Sequence, residues 1–296
     1  MIFMDKEIIR KYKKAGKIAK TVRDEGKNMV KSGVKIIDIA EKIESRTIEL
    51  GGIPAWPVNI SINDIAAHYS PSKDDEIKIQ EGDVVKLDVG VSIDGYVADT
   101  AVTIALSEED KKLVEASEKA LEEAIKLVKP GVDIKDISAK IEEVIESYGF
   151  KPITNLTGHG LEQYIIHSEP RISNYKDDYS YVLEEGEVIA IEPFVTQGRN
   201  YITEEDESRA LIYSLIQEKP CRSREAKEII KKMSDRQGLP FSDRWVNANG
   251  IKLRLAINEL SRRECISSYK ILRGDSKIAQ SEHTILVLDE PVVITR

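Results

Sequence analysis

The sequence predicts an α+β fold in which two similar halves pack about a pseudo-twofold axis, an antiparallel sheet flanked by two helix pairs, with a helical insertion late in the chain. Three observations predict it. Lys31 to Glu44, KSGVKIIDIAEKIE, recurs as Lys129 to Glu142, KPGVDIKDISAKIE, with nine of fourteen positions identical, and EGDVVKLD (Glu81 to Asp88) recurs as EGEVIAIE (Glu185 to Glu192). Two copies are too few for a solenoid, so paired halves are the simpler packing. The β-branched runs on either side of Asp94-Gly95 carry a strong hairpin signal, which makes the strands antiparallel. Between about Ala210 and Leu272 the composition turns to Arg- and Lys-rich helical sequence, and strand character returns near Ile278. The expected division is residues 1–209 with 273–296 as one catalytic unit and 210–272 as an inserted helical subdomain.

The elements follow in order. Ile8, Ile9, Tyr12, Ala15, Ile18, Ala19 and Val22 recur at spacings of three and four, which predicts an amphipathic helix from Asp5 to about Ser32, ending near Gly33. A second helix spans Asp38 to Leu50 and is stopped by Gly51-Gly52, then Pro54 and Pro57. The loop-rich stretch that follows ends in His68-Tyr69-Ser70-Pro71, and turn chemistry accounts for Asn63 and Asp64 within it. After the hairpin, Ser107 with Asp110 resembles a capping box opening a helix through Val128, broken at Pro130-Gly131. Asp133 caps the next, with Ile134, Ile137, Ile141 and Val144 on its inner face. Pro152 to Thr157 reads as a strand, followed by Gly158-His159-Gly160 and His167. Inside the insertion, Ser223 to Gln237 and Gly250 to Glu264 read as helices.

Charge and composition exclude several functions. A net charge of −8 over 296 residues argues against a general nucleic-acid binder, which needs a basic surface to displace phosphate counterions. The cationic residues of the insertion read as a solvated helical face. Only Met1 to Met4 are apolar ahead of the charged first helix, and no apolar run approaches the roughly 20 residues of a membrane span, so a cytoplasmic protein is expected. Cys221 and Cys265 lack CxxC spacing and are expected to be reduced, incidental thiols.

The hairpin carries the first chemistry. With Asp94 and Gly95 as its turn, Asp88 faces Ala101 and Asp99 lies two residues from that partner, so both carboxylates share a face about 7–8 Å apart at Cα. A one-residue bulge, for instance at Gly90, would break this parity. A lone Asp in a strand is more often an exposed polar position. Both of these interrupt apolar surroundings, where a carboxylate must be paired or bound to a cation.

The segments AAHYSP, KLDVG, YVADTA, GHG with a histidine eight residues later, IEPF and AQSEHTIL together resemble the metal-dependent peptidases of the creatinase and methionine aminopeptidase superfamily, over nearly the whole chain. The long helical stretch between Glu192 and Glu282 and the lack of an N-terminal extension are similar to the archaeal form of the type II methionine aminopeptidases. The resemblance implies the pita-bread fold and two divalent metal ions (Co, Mn, Fe(II) or Zn). Asp88 would bind the first, Asp99 and Glu282 would bridge, and His159 and Glu192 would bind the second. Four carboxylates balance two divalent charges, and an imidazole among oxygens suits such ions better than thiolate-loving ones.

By the same resemblance, a metal-activated hydroxide attacks the carbonyl after the N-terminal methionine of nascent polypeptides, Glu192 shuttles the proton, and His68 and His167 bind the scissile peptide group. Trp56, Ile166 and Phe194 would line the methionine pocket, where apolar walls suit a thioether. An isolated histidine is more often structural, and His283, on the other side of its strand from Glu282, is read so. The family pattern also implies a small second residue, a monomer, and a transient ribosome contact among its partners, with no nucleic acid and no membrane. Ser281, in place of an aromatic residue, and Ser168-Glu169, after His167, depart from that pattern and bear on pocket shape. Rival readings are a proline-specific peptidase with the same ligands, or a binding protein that kept the fold and lost catalysis, although such relatives lose ligands and all five are present here.

Overall fold

A computed structural model describes residues 5–205, 210–246 and 250–296. Met1 to Met4, on which the expectation of a cytoplasmic protein partly rests, and residues 206–209 at the expected boundary lie outside the described residues.

Helix α1 (Lys6–Met29) is capped by Asp5, whose carboxylate accepts from the Glu7 amide, and it buries Tyr12, Ala15, Ile18, Ala19 and Val22, the periodic positions. Helix α2 (Ile36–Glu49) packs beside it. Both cover a sheet built on the strands Val84–Ile93 and Tyr96–Ala105, which pair without interruption: Asp88 faces Ala101 and Gly90 faces Asp99. No bulge intervenes. Gly90 serves another purpose, because a Cβ there would lie 2.4 Å from the Trp56 ring.

Helices α3 (Lys111–Ile125) and α4 (Ile134–Ser147) repeat the arrangement over a five-stranded sheet ordered Val292–Val293, His283–Leu286, Val188–Ile191, Thr157–Glu162, Ile165–Ser173. Asp133 caps α4 through the Lys135 amide. Helix α3 begins later than Ser107, because the Asp110 carboxylate is held by the Ser107 hydroxyl and the Lys277 ammonium and caps no helical amide. Gly158-His159-Gly160 lies within a strand, not after one.

The internal repeat is visible bond by bond. Gly33 N donates to Ile79 O at 2.8 Å and Gly131 N to Leu183 O at 2.8 Å, while Lys35 bridges Lys78 as Asp133 bridges Val182. Both glycines have φ of +86°, the left-handed turn that admits them without a Cβ penalty.

The halves meet along Tyr96–Ala105 and the segment 278–286. Thr284 Oγ1 accepts from Asp99 N at 2.7 Å and donates to Asp99 O at 2.8 Å. Its counterpart Thr103 Oγ1 accepts from Gln280 N at 2.8 Å and donates to Gln280 O at 2.6 Å. Between them Glu282 N donates to Ala101 O at 3.0 Å, close to the pseudo-twofold axis.

The expected helical insertion is of mixed structure. Besides α5 (Arg224–Ser234) and α6 (Gly250–Arg262) it contains an antiparallel sheet of Phe241–Ser242, Ile212–Leu215 and Ile266–Tyr269. These strands are too short to show an alternation against the strong helical periodicity around them. Cys221 and Cys265 belong to one apolar cluster here, and burial together with the neighbouring Cys265 pushes the Cys221 thiol up. Among the described residues no helix is long and apolar enough to cross a membrane.

Candidate metal centre

Asp88, Asp99, His159, Glu192 and Glu282 reach one cavity of about 500 Å³ from four separate segments, and His68, His167, Trp56, Ile166 and Phe194 line it with them. Asp88 and Asp99 come from the first hairpin, where period-two alternation turns both inward. His159 stands opposite Ala190 on the neighbouring strand, and Glu192 follows Ile191, which pairs with His283. This places Glu192 beside Glu282.

The cluster is closely built. His159 Nε2 lies 3.6 Å from Asp99 Oδ2 and 3.8 Å from Glu192 Oε1, and ligand atoms of Asp99, His159 and Glu282 all fall within 4.8 Å of one another. His159 Nδ1 is 3.2 Å from the Gly160 carbonyl, which can only accept, so the proton sits on Nδ1 and the Nε2 lone pair faces the carboxylates. That is the tautomer of a metal ligand whose other nitrogen is oriented by the backbone. Asp99 Oδ1 and both oxygens of Glu282 are buried without a hydrogen-bond partner.

Burial raises every carboxyl here. Asp88 is pushed up to about 7 by desolvation, against the pull of hydrogen bonds from Trp56 and Gln280. Desolvation, then the charge of Asp88, holds Asp99 well above the usual range. Glu192 and Glu282 are raised by desolvation and then by Asp99. Four such groups cannot all ionise together without cations. The orphaned oxygens and the oxygen-plus-imidazole donor set therefore fit divalent metal.

The histidines are kept neutral. Desolvation lowers His159 to about 3 and His68 to about 4, and it lowers His167 as well. His167 stacks edge-on against His159, with ring centroids 4.6 Å apart. His68 Nδ1 donates to Lys270 O at 3.0 Å, which leaves Nε2 as an acceptor, and φ of 65° turns its side chain into the cavity.

Sequence reasoning missed Gln280. Its Nε2 donates to Glu192 Oε2 at 3.1 Å, and the same amide favours the charged form of Asp88, so one side chain acts on carboxylates from both halves. Position 280 is two before Glu282, on the same face, which was the available signal. Also missed were Ile212, Pro240 and Tyr269, by which the insertion closes one side of the cavity.

The family model for metallopeptidase family M24 matches residues 10–287. The chain belongs to this family. It is similar to a methionine aminopeptidase of Thermococcus onnurineus, 46% identical over 289 residues covering 95% of this chain and 97% of that one. Among solved structures, a methionine aminopeptidase of Thermotoga maritima superposes with a TM-score of 0.73 at 25% identity, over 99% of this chain and 98% of that one. A thermophilic Arx1 superposes with a TM-score of 0.85 at 20% identity, covering 98% and 91%, a likeness of fold alone. The M24 chain thus has the pita-bread architecture, with its buried acidic cluster at the centre.

Proposed function

We propose that the protein is a dinuclear-metal methionine aminopeptidase that removes the N-terminal methionine of nascent polypeptides and prefers a small second residue. The observation that carries this reading is the buried cluster of Asp88, Asp99, His159, Glu192 and Glu282, with its orphaned oxygens, at the base of a cavity walled by Trp56, Ile166 and Phe194. Asp88, Asp99, His159, Glu192 and Glu282 would together hold the metal ions. Bound there, the cations supply Lewis acidity toward the scissile carbonyl and an activated water near neutral pH.

The side chains do the rest. His68, with Nδ1 committed to the Lys270 carbonyl, accepts the scissile peptide N–H at Nε2. His167, neutral by burial, donates to the carbonyl oxygen and stabilises the negative charge that develops there. Glu192 receives and returns the proton at Oε1, the oxygen that Gln280 leaves free. The apolar walls take the thioether and exclude water.

Residues 210–272 are one inserted subdomain on a catalytic unit of 1–209 and 273–296, a division supported by the separate apolar cluster of the insertion. The same aminopeptidase reading carries a cytoplasmic monomer that meets its substrates during synthesis, with a transient ribosome contact. The test is cleavage by chelator-stripped protein, with Mn, Co, Fe(II) or Zn added back, of a Met-Ala peptide and a matched Xaa-Pro peptide. Methionine release alone is expected. Preference for the Xaa-Pro bond would instead assign a proline-specific peptidase, and silence with every metal would assign a binding protein.

A further inference from the structure

Among its several contacts with the catalytic unit, the insertion holds one region with three side chains. Arg244 Nη2 donates to Glu44 Oε1 at 2.7 Å and its Nη1 to Oε2 at 3.3 Å, with Glu44 7% and Arg244 8% exposed. Trp245 Nε1 donates to Glu44 Oε2 at 2.8 Å. Arg236, its guanidinium 4.7 Å from the Trp245 ring centroid, donates from Nη2 to Pro54 O at 2.7 Å and Ala55 O at 3.1 Å. Glu44 in turn accepts from Val58 N at 3.1 Å. Arg236 thus reaches residues 54 and 55 directly, and Arg244 and Trp245 reach residue 58 through Glu44, so both ends of the short loop that carries Trp56 are tied to the insertion.

Trp56 is held on its other side by the metal-bearing hairpin. Its Nε1 donates to Asp88 Oδ1 at 3.3 Å, its ring fills the space left by the absent side chain of Gly90, and Ala55 N donates to Gly90 O at 2.8 Å. Pro54 and Pro57 bring no amide hydrogen to this loop, which is otherwise held by the pairing of Ile53–Pro54 with Val91 and Ser92 and by Asn59 Nδ2 donating to Pro57 O at 2.8 Å.

We propose that the insertion sets the shape of the substrate pocket through this loop, with Arg236 and Arg244 as positioning residues that hold Trp56 against Gly90 and Asp88. The inference rests on the reading of Trp56 as a wall of the methionine pocket. A guanidinium with two carbonyls in reach fixes their direction as well as their distance, which an ammonium does not. Truncating Arg236 releases both carbonyls and lets the indole leave its seat, without leaving an unpaired buried carboxylate as truncation of Arg244 would.

The experiment uses the metal-loaded protein. The chain has two tryptophans, so Trp56 emission is taken as the difference between spectra with and without Trp56→Phe, in the parent and in Arg236→Met alike, which leaves the Trp245 contacts in place. Arg236→Met is expected to raise KM for a Met-Ala peptide by about tenfold, the factor carried by a charge-assisted hydrogen bond, with kcat changed less than about twofold. It is also expected to shift Trp56 emission to longer wavelength, and Arg236→Lys should recover only part of either effect. Unchanged Trp56 emission in Arg236→Met would overturn the proposal, whatever the activity. Trp56→Ala separates the two readings: if it leaves KM unchanged, the pocket assignment of Trp56 fails, whereas the emission result judges the loop coupling independently. A folded Arg236→Met protein that loses kcat at constant KM would also overturn the proposal.

Discussion

The two halves share a scaffold but place their acids differently. Asp88 in the first copy corresponds to Glu192 in the second by the EGDVVKLD and EGEVIAIE match. In the first hairpin Asp88 faces Ala101 and Gly90 faces Asp99, whereas Ile191 faces His283 and Phe194 faces Gln280. Register therefore equates Asp99 with Gln280 and Ala101 with Glu282. The first half sets its carboxylates diagonally and the second sets them face to face. The twofold governs backbone and threonine bonds, while the chemistry has drifted by two residues along one strand.

The connections differ even more. The Asp94-Gly95 turn joins the first pair of strands, and the corresponding pair in the second half is joined through the whole insertion. A two-residue turn and a folded subdomain serve the same sheet geometry because the closing strand is held by cross-axis bonds, not by its connection. Loop length adds closure entropy only slowly.

The strongest way to break the comparison is at the paired acids on the axis. Asp99→Asn is expected to lower kcat for a Met-Ala peptide by at least about a thousandfold, since it removes one of the buried charges that would hold the metals, while circular dichroism stays that of the parent. Glu282→Gln should match it if the diagonal and facing arrangements present equivalent carboxylate oxygens to the cluster. A fully active Asp99→Asn enzyme would remove the site assignment.

Gln280 offers a sharper cut, because it occupies the place of Asp99 yet acts on Asp88 and Glu192 at once. Gln280→Leu should weaken metal binding or turnover by about 10–100-fold, the usual cost of losing a group that orients ligands. Equilibrium dialysis with a single metal species would show whether one site or both weaken. Loss at neither would mean that the two ligand sets are oriented independently.

Much of this was legible in the sequence, for physical reasons that can be named. The repeat located the twofold, and Asp-Gly between β-branched runs determined the register that turns Asp88 and Asp99 to one face. Glycine misled at GHG, where strand propensity is low yet a strand forms. There a Cβ on Gly158 would lie 2.4 Å from Ala190 O, and one on Gly160 would lie 2.0 Å from Glu169 O, so close backbone approach demands the glycines. Gln280 escaped because a neutral amide carries no charge signature and acquires its role only when two distant ligands converge on it. The meeting of Cys221 with Cys265, likewise, depends on how α5 and α6 pack and not on local spacing.

The mildest test asks how strongly the acids of the two halves repel one another without metal. Asp88 is raised to about 7 in the folded protein, and Asp99, Glu192 and Glu282 are raised well above the usual range, whereas the same groups ionise near 4 when unfolded. A carboxyl raised on folding contributes stability that is present below its unfolded pKa and is lost as pH rises through the folded one. The lowered histidines act in the opposite sense, their contribution being lost as pH falls below about 6.5, so they are silent above it. From about pH 6.5 upward the four raised carboxyls tilt the balance downward, opposed by Lys86, whose ammonium pKa is lowered by burial to about 7. The melting temperature of chelator-stripped protein should therefore fall by several degrees between about pH 6.5 and 8, and a saturating divalent cation should raise it and flatten the slope. If the stripped protein kept a constant melting temperature across that window, the acids would be solvated or paired within their own halves, and cations would not be what holds the two arrangements together.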